Sequence, residues 1–428
     1  MDKYIIYIWR KLNLDNKYEV GTKIETKNND TILYNYLEEV GKNVSIEDGN
    51  QAIEKVLINI YFKEGSSTKE LSRNNLLPIP VVSAIKKEFI KFGLLIQDRG
   101  VRLTPKGRCY VEEVLGFKGL NKELYMRLLK EPWKEHKEIA EVKESLSEIF
   151  INRPQADVTI DQSKCTVDTA LRRAVLTLIN HVLIGKKILC LGDDDLISIA
   201  IGLLLKKLFS NVKYSKTTVL VMDIDKRFLS YIEDIADKEE LPIKCEYTDL
   251  RLPISKDYRD SFDCCFTDPP YTLEGMNLFV SRGVEALKKE KGIPIFLSFA
   301  HKSPDFELTM QECFVRMGLI VSKITTAFNS YEGAGIIGNS SQMIILKTTS
   351  KSRSSIETSY KGAIYTGELR VTVRHYKCKE CGEIIKVGAS ESFKTIEELK
   401  EKGCIKCKNQ IFDRLPGDAS DRKTVEID

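Results

Sequence analysis

From Lys187 onward the chain alternates between short, almost wholly apolar runs and longer stretches whose apolar residues recur every three or four positions. The runs at 188–191, 218–223, 243–247, 262–267, 293–299, 319–324 and 341–347 predict strands buried on both faces. The stretches 196–209, 226–239, 274–290 and 305–316 predict the helices between them. Such alternation predicts a doubly wound α/β domain over 187–352. A different pattern occupies 46–118. Ile53, Val56, Leu57, Ile60 and Tyr61 share one helical face, and Ser67 stands as a cap before a second short helix at Thr68–Leu71. Pro80–Phe92 predicts a third helix. Leu94–Ile96 and Val101–Thr104 predict two strands joined by Asp98-Arg99-Gly100. That order is the order of a winged-helix-like domain. Its third helix carries Lys86, Lys87 and Lys91, a candidate DNA contact, but a docking or dimerisation module with a solvated lysine face is the favoured reading. Residues 1–45 show only a polar turn or linker at Lys27–Asp30. Residues 119–186 read as a charged helical linker, with a loop near Arg153-Pro154-Gln155-Ala156 in preference to a lid.

Two acidic knots interrupt the apolar pattern. Gly192-Asp193-Asp194-Asp195 follows the first strand, and Asp268-Pro269-Pro270-Tyr271 follows the fourth. Ligands of such sheets bind at the carboxyl ends of the strands, so both knots are expected in one acid-rich pocket. The first loop has one glycine and three acids where a dinucleotide fold carries GxGxxG. It would repel a pyrophosphate and attract a sulfonium or ammonium group. One of the three acids is expected to cap the following helix. Asp223, ending the second strand, is placed to take ribose hydroxyls, and Asp249, after the third, to reach an adenine amino group. In the second knot, Pro269 and Pro270 fix the backbone and remove two donors. They hold Asp268 and the Tyr271 ring for an amine nitrogen, through charge and cation–π contact.

Composition narrows the partners. A net charge of +4 on 66 basic and 62 acidic residues does not force nucleic-acid binding. The apolar Tyr4–Trp9 is too short for a signal peptide or a membrane span. Eleven cysteines include Cys378-x-x-Cys381 and Cys404-x-x-Cys407, two knuckles 22 residues apart. This spacing predicts a zinc-ribbon-like module within 353–428, with structural zinc, in a reducing cytoplasm.

The motif set Leu191–Leu196, Met222–Asp225, Asp249-Leu250-Arg251 with Pro253, Thr267–Thr272 and Phe279–Gly283 resembles the branched-chain polyamine synthases, the N4-bis(aminopropyl)spermidine synthase family. The resemblance covers roughly residues 50–350. It implies a Rossmann-like, class I methyltransferase-type domain behind a winged-helix-like domain, in a homodimer. It also implies aminopropyl transfer from decarboxylated S-adenosylmethionine to the secondary amine of spermidine, with methylthioadenosine as by-product. Asp193, Asp194 and Asp195, unranked, become candidates for holding the amine and taking its proton. Asp268 would hold the acceptor nitrogen among Pro269, Pro270 and Tyr271, and Gly192, Asp223 and Asp249 would hold the donor. The four-cysteine module is not a requirement of the family core. Two other readings use the same residues. One is an S-adenosylmethionine-dependent DNA or RNA amino-methyltransferase; the other is a polyamine-sensing transcriptional regulator.

Overall fold

The computed structural model describes residues 35–424, apart from 135, 333–337, 373, 389–390, 394 and 416–421. The turn read at Lys27–Asp30 lies outside the described residues. The chain divides into two units, 1–119 and 120–428.

The first unit has helices Tyr36–Val44, Asn50–Phe62, Thr68–Asn75 and Ile79–Lys91, then a hairpin of β1 (Leu95–Gln97) and β2 (Val101–Leu103). Ser67 accepts the Glu70 amide at 3.1 Å, capping the third helix as its side chain predicts. The hairpin turn needs its glycine. Gly100 has φ 111°, and a Cβ there would lie 2.2 Å from the Gly65 carbonyl oxygen. Ile53, Val56, Leu57, Ile60, Val82, Ile85 and Phe89 form the core. The three lysines do not form one basic face. Lys86 is buried and donates to Thr68 Oγ1 at 2.8 Å, Lys91 pairs with Glu88, and Lys87 is exposed.

The second unit is built on an eight-stranded sheet. Its strands are β3 (Lys164–Cys165), β4 (Lys187–Leu191), β5 (Thr218–Asp223), β6 (Ile243–Tyr247), β7 (Cys264–Thr267), β8 (Pro294–Phe299), β9 (Ile320–Glu332) and β10 (Ser340–Lys347), in the order β3-β9-β10-β8-β7-β4-β5-β6. The five strands from β6 to β8 are parallel, and β10, β9 and β3 add antiparallel. Alternate residues bury opposite faces. Leu189, Leu191, Leu220, Met222, Cys265, Ile295 and Leu297 pack with helices Leu273–Ala286 and Pro304–Arg316. Helices Val167–Ile179, Ile197–Leu208 and Lys226–Glu239 pack on one another, and the last two also pack on β5.

Two predicted boundaries move. The helix expected to reach 290 ends at Ala286, where Leu287 turns into the core and Lys288 extends to Asp263 at 2.6 Å. The strand expected to end at 324 runs to Glu332, because β10 supplies partners as far as Ser340↔Ser330 through a register shift.

Residues 353–360, which the sequence assigns to the C-terminal module, are bound to the α/β domain instead. Arg282, fully buried, donates to the carbonyls of Leu250, Ile356 and Thr358 at 2.5–2.9 Å. Thr272 Oγ1 donates to the Ile364 carbonyl at 2.6 Å, tying down the next stretch. Beyond it, β11 (Arg370–Thr372) pairs with β15 (Arg422–Thr424), and β12 (Arg374–Cys378), β13 (Ile384–Val387) and β14 (Phe412–Arg414) form a small antiparallel sheet. Its core is Tyr376, Ile385, Val387, Phe393 and Leu399. Among the described residues no helix is long and apolar enough to cross a membrane.

Candidate active site

Register brings the acids together. Leu191 pairs with both Met222 and Thr267, so β4, β5 and β7 end side by side and release Gly192, Asp223 and Asp268 at one level. Gly192, at φ 73°, turns the chain sharply before the triple acid. The resulting solvent-open pocket of about 530 Å³ is lined by Ile160–Ser163, Gly192, Asp194, Asp195, Asp223, Ile224, Asp268–Tyr271, Phe279 and Tyr365. Five carboxylates, Asp161, Asp194, Asp195, Asp223 and Asp268, stand in this wall, and among the described residues no lysine, arginine or histidine lines it. Its charge suits a cation.

The three consecutive acids have three different environments. Asp193 is fully buried and does not line the pocket. Its oxygens accept the Ile197 and Ser198 amides at 2.7 and 3.1 Å, capping the helix; burial pushes it up to about 7 against those bonds. The sequence makes it a candidate for holding the amine; here both of its oxygens are turned to the helix. Asp195 is also committed. Its Oδ1 accepts the Cys165 amide at 3.0 Å, and its Oδ2 meets Arg173 Nη1 at 2.5 Å. Asp194 is half-buried in the wall, accepts only a long 3.3 Å bond from the Ser163 amide, and has no described cation within salt-bridge distance. Burial raises its proton affinity well above the ordinary carboxylate value, and Asp195, Asp223, Asp268 and Asp193 add to this.

Asp268 is held from two sides. Its Oδ2 accepts Arg173 Nη2 at 2.9 Å and the Tyr331 hydroxyl at 2.7 Å. Burial pushes it up to about 7, with Arg173 pulling down and the adjacent Asp195 pushing up. Tyr271 donates its hydroxyl to Tyr331 Oη at 3.0 Å, and its ring meets Phe299 edge-on at 5.3 Å. Pro269 and Pro270 both line the pocket. Asp223 accepts the Asp193 and Asp225 amides at 2.9 and 2.8 Å, one per oxygen, which leaves lone pairs for a ligand hydroxyl.

Asp249, a candidate for the adenine amino group, lies in a turn. Its carboxylate closes a local turn onto the Arg251 amide at 2.9 Å and is not in the pocket wall. Tyr365 stands in the wall instead, with the Arg251 guanidinium 5.1 Å from its ring centroid. The segment read as a linker also contributes. Ile160, Asp161, Gln162 and Ser163 line the pocket, with Gln162 donating to Asp225 at 3.1 Å and Asp161 accepting the Thr366 amide at 2.6 Å.

In the C-terminal module, the sulfurs of Cys378, Cys381, Cys404 and Cys407 lie within 4.8 Å of one another, Cys378–Cys407 at 3.5 Å and Cys381–Cys404 at 3.6 Å. A tetrahedral ion bonded to sulfur at about 2.3 Å places its ligands about 3.8 Å apart, so the four thiols fit zinc.

The profile of the branched-chain polyamine synthase A C-terminal domain matches residues 141–387, more than half of the chain. The chain belongs to the branched-chain polyamine synthase family. Among its relatives is Uncharacterized protein MJ0675 of Methanocaldococcus jannaschii, 36% identical over 85% of this chain and 89% of that one. The N(4)-bis(aminopropyl)spermidine synthase of the same organism is 28% identical over 60% of this chain and 71% of its own. The branched-chain polyamine synthase of Thermus thermophilus, solved with N4-aminopropylspermidine and 5'-methylthioadenosine, aligns over 77% of this chain and 95% of its own, with 23% identity and a TM-score of 0.46. Around this pocket, sequence reading missed Tyr365 in the wall and Arg173 and Tyr331 behind it. Arg173 left one usable signal: it falls between Ala170 and Thr177 on the buried stripe of its helix, where an arginine needs acidic partners.

Proposed function

We propose that the protein transfers aminopropyl groups from decarboxylated S-adenosylmethionine to the secondary amine of spermidine, releasing methylthioadenosine and forming branched polyamines. The observation that carries this reading is the pocket wall of five carboxylates, lined by no basic side chain among the described residues. Both substrates are cations, and a phosphate-bearing ligand would be repelled. The strand order supports reading the α/β domain as Rossmann-like and class I methyltransferase-type. The helices and hairpin of the first unit support a winged-helix-like domain. The four thiols support a zinc-ribbon-like module, in which zinc, bound by Cys378, Cys381, Cys404 and Cys407, would staple a core of few residues.

In the transfer, the nitrogen lone pair attacks the aminopropyl carbon next to the sulfonium. A C–N bond forms as the C–S bond breaks, and the electron pair stays on sulfur as a neutral thioether. The acceptor must shed one proton to expose its lone pair. We assign that proton to Asp194, the one of the three consecutive acids with neither a cation nor two amides on it and with proton affinity raised by burial. Asp268 and Tyr271 hold the acceptor nitrogen, and Asp223 takes the donor ribose. Asp195 serves through its bond to Arg173, and Asp249 holds the turn before Arg251. Incubation with spermidine and either adenosyl donor, read by mass spectrometry, tests the reading. Products that gain aminopropyl units only with the decarboxylated donor support it. Methyl transfer from the ordinary donor to DNA or RNA, without such products, would overturn it.

A further inference from the structure

Behind the acid wall lies a buried cation, bonded to two of its carboxylates. Arg173 is fully buried beneath the wall and is not among the residues that line it. Its planar fork is almost fully used: Nε donates to Asn329 Oδ1 at 2.8 Å, Nη1 to Asp195 at 2.5 Å, and Nη2 to Asp268 and to Tyr331 Oη at 2.9 and 3.0 Å. Asn329 is in turn fixed by Ser341 at 2.9 Å, so the guanidinium has one available position. A carboxylate as buried as Asp268 would otherwise hold its proton. That proton would remove one negative charge from the place where an ammonium must bind.

We propose that Arg173 is a positioning residue for aminopropyl transfer: its guanidinium orients Asp268 through Oδ2 and sets a fixed positive charge against it, so that Asp268 meets the acceptor nitrogen as a carboxylate. This inference rests on the aminopropyltransferase reading and adds a residue to it. The groups around Asp268 are Arg173 from helix Val167–Ile179, Asp194 and Asp195 from the β4 loop, Tyr331 from β9 and Tyr271 from its own loop. Arg173 is the single cation in that set. Lysine cannot replace it fully, because one ammonium cannot span Asp195, Asp268 and Asn329 with fixed planar geometry.

The sign follows from the charges. Burial already pushes Asp268 up to about 7, and Arg173 is the largest influence lowering it. Without the guanidinium, Asp268 holds its proton to higher pH, so the acid limb of kcat moves upward. In Arg173→Gln the limb is expected to shift up by about 1–3 pH units, the size of losing an adjacent opposite charge. Activity at pH 7 falls and partly returns as pH rises, while the donor KM stays nearly unchanged. Arg173→Lys is expected to shift less. Tyr331→Phe, which removes one donor from Asp268 but leaves Arg173 in place, is expected to shift least. Should Arg173→Gln not fold, the other two variants decide the matter. Lower activity with an unmoved limb in the folded variants would overturn the inference and leave Arg173 a purely structural residue. Absence of aminopropyl transfer in the unmodified protein would instead overturn the function reading itself.

Discussion

The acid pocket and the four-cysteine module each gather like groups that repel when ionised, and they hold them by opposite means. In the pocket the counter-charge belongs to the chain: Arg173 bridges Asp195 and Asp268, and backbone amides occupy Asp193 and Asp223. In the module four thiols converge with no lysine or arginine bridging them among the described residues, so their thiolates need an ion from outside. A cluster with an internal counter-charge is preorganised before any ligand arrives. A cluster without one is ordered by its ligand. The pocket should therefore keep its shape when empty, and the module should lose its shape without metal.

The comparison breaks first at Asp268, where charge meets substrate. Asp268→Asn keeps the Tyr331 and Arg173 contacts possible but removes the carboxylate, and kcat is expected to fall about 100–10,000-fold with the melting temperature nearly unchanged. A loss below tenfold would show that the internal cluster does not handle the acceptor. The second test removes the external ion. Cys404→Ser, or treatment with a strong chelator, should abolish one equivalent of bound zinc and expose residues around Tyr376 and Leu399 to rapid amide exchange. Steady-state transfer should change far less than in Asp268→Asn. Equal protection in the metal-free module would contradict the contrast. The smallest effect is expected at Asp193. Its carboxylate serves two helix amides and no ligand, so Asp193→Ala should cost about 1–3 kcal/mol of stability while leaving kcat intact in the folded fraction.

The same contrast explains what was legible in the sequence. All four sulfur ligands lie in two short knuckles, so local spacing suffices to find them. The strand ends carrying Gly192, Asp223 and Asp268 were legible too, because a buried parallel strand is a continuous apolar run that stops where the ligand begins. The ranking of the three acids was not legible. It depends on Arg173, Cys165 and Ser163, brought to the β4 loop from other elements. Tyr331 is more remote still, and its strand was expected to end at 324, seven residues before it. Tyr365 was hidden for a different reason. Arg282 and Thr272 hold 356–364 against the α/β domain through backbone carbonyls, and a carbonyl partner leaves no trace in residue type. The lysines of the first unit show the converse: Lys86, Lys87 and Lys91 suggested a shared face, yet one is buried, one paired and one exposed.

The most direct test of the account is a comparison of Asp194→Asn with the unmodified protein, each given spermidine and decarboxylated S-adenosylmethionine and followed by mass spectrometry. The account predicts branched products from the unmodified protein and almost none from the variant, at matching melting temperatures. Equal product formation by the two would contradict it.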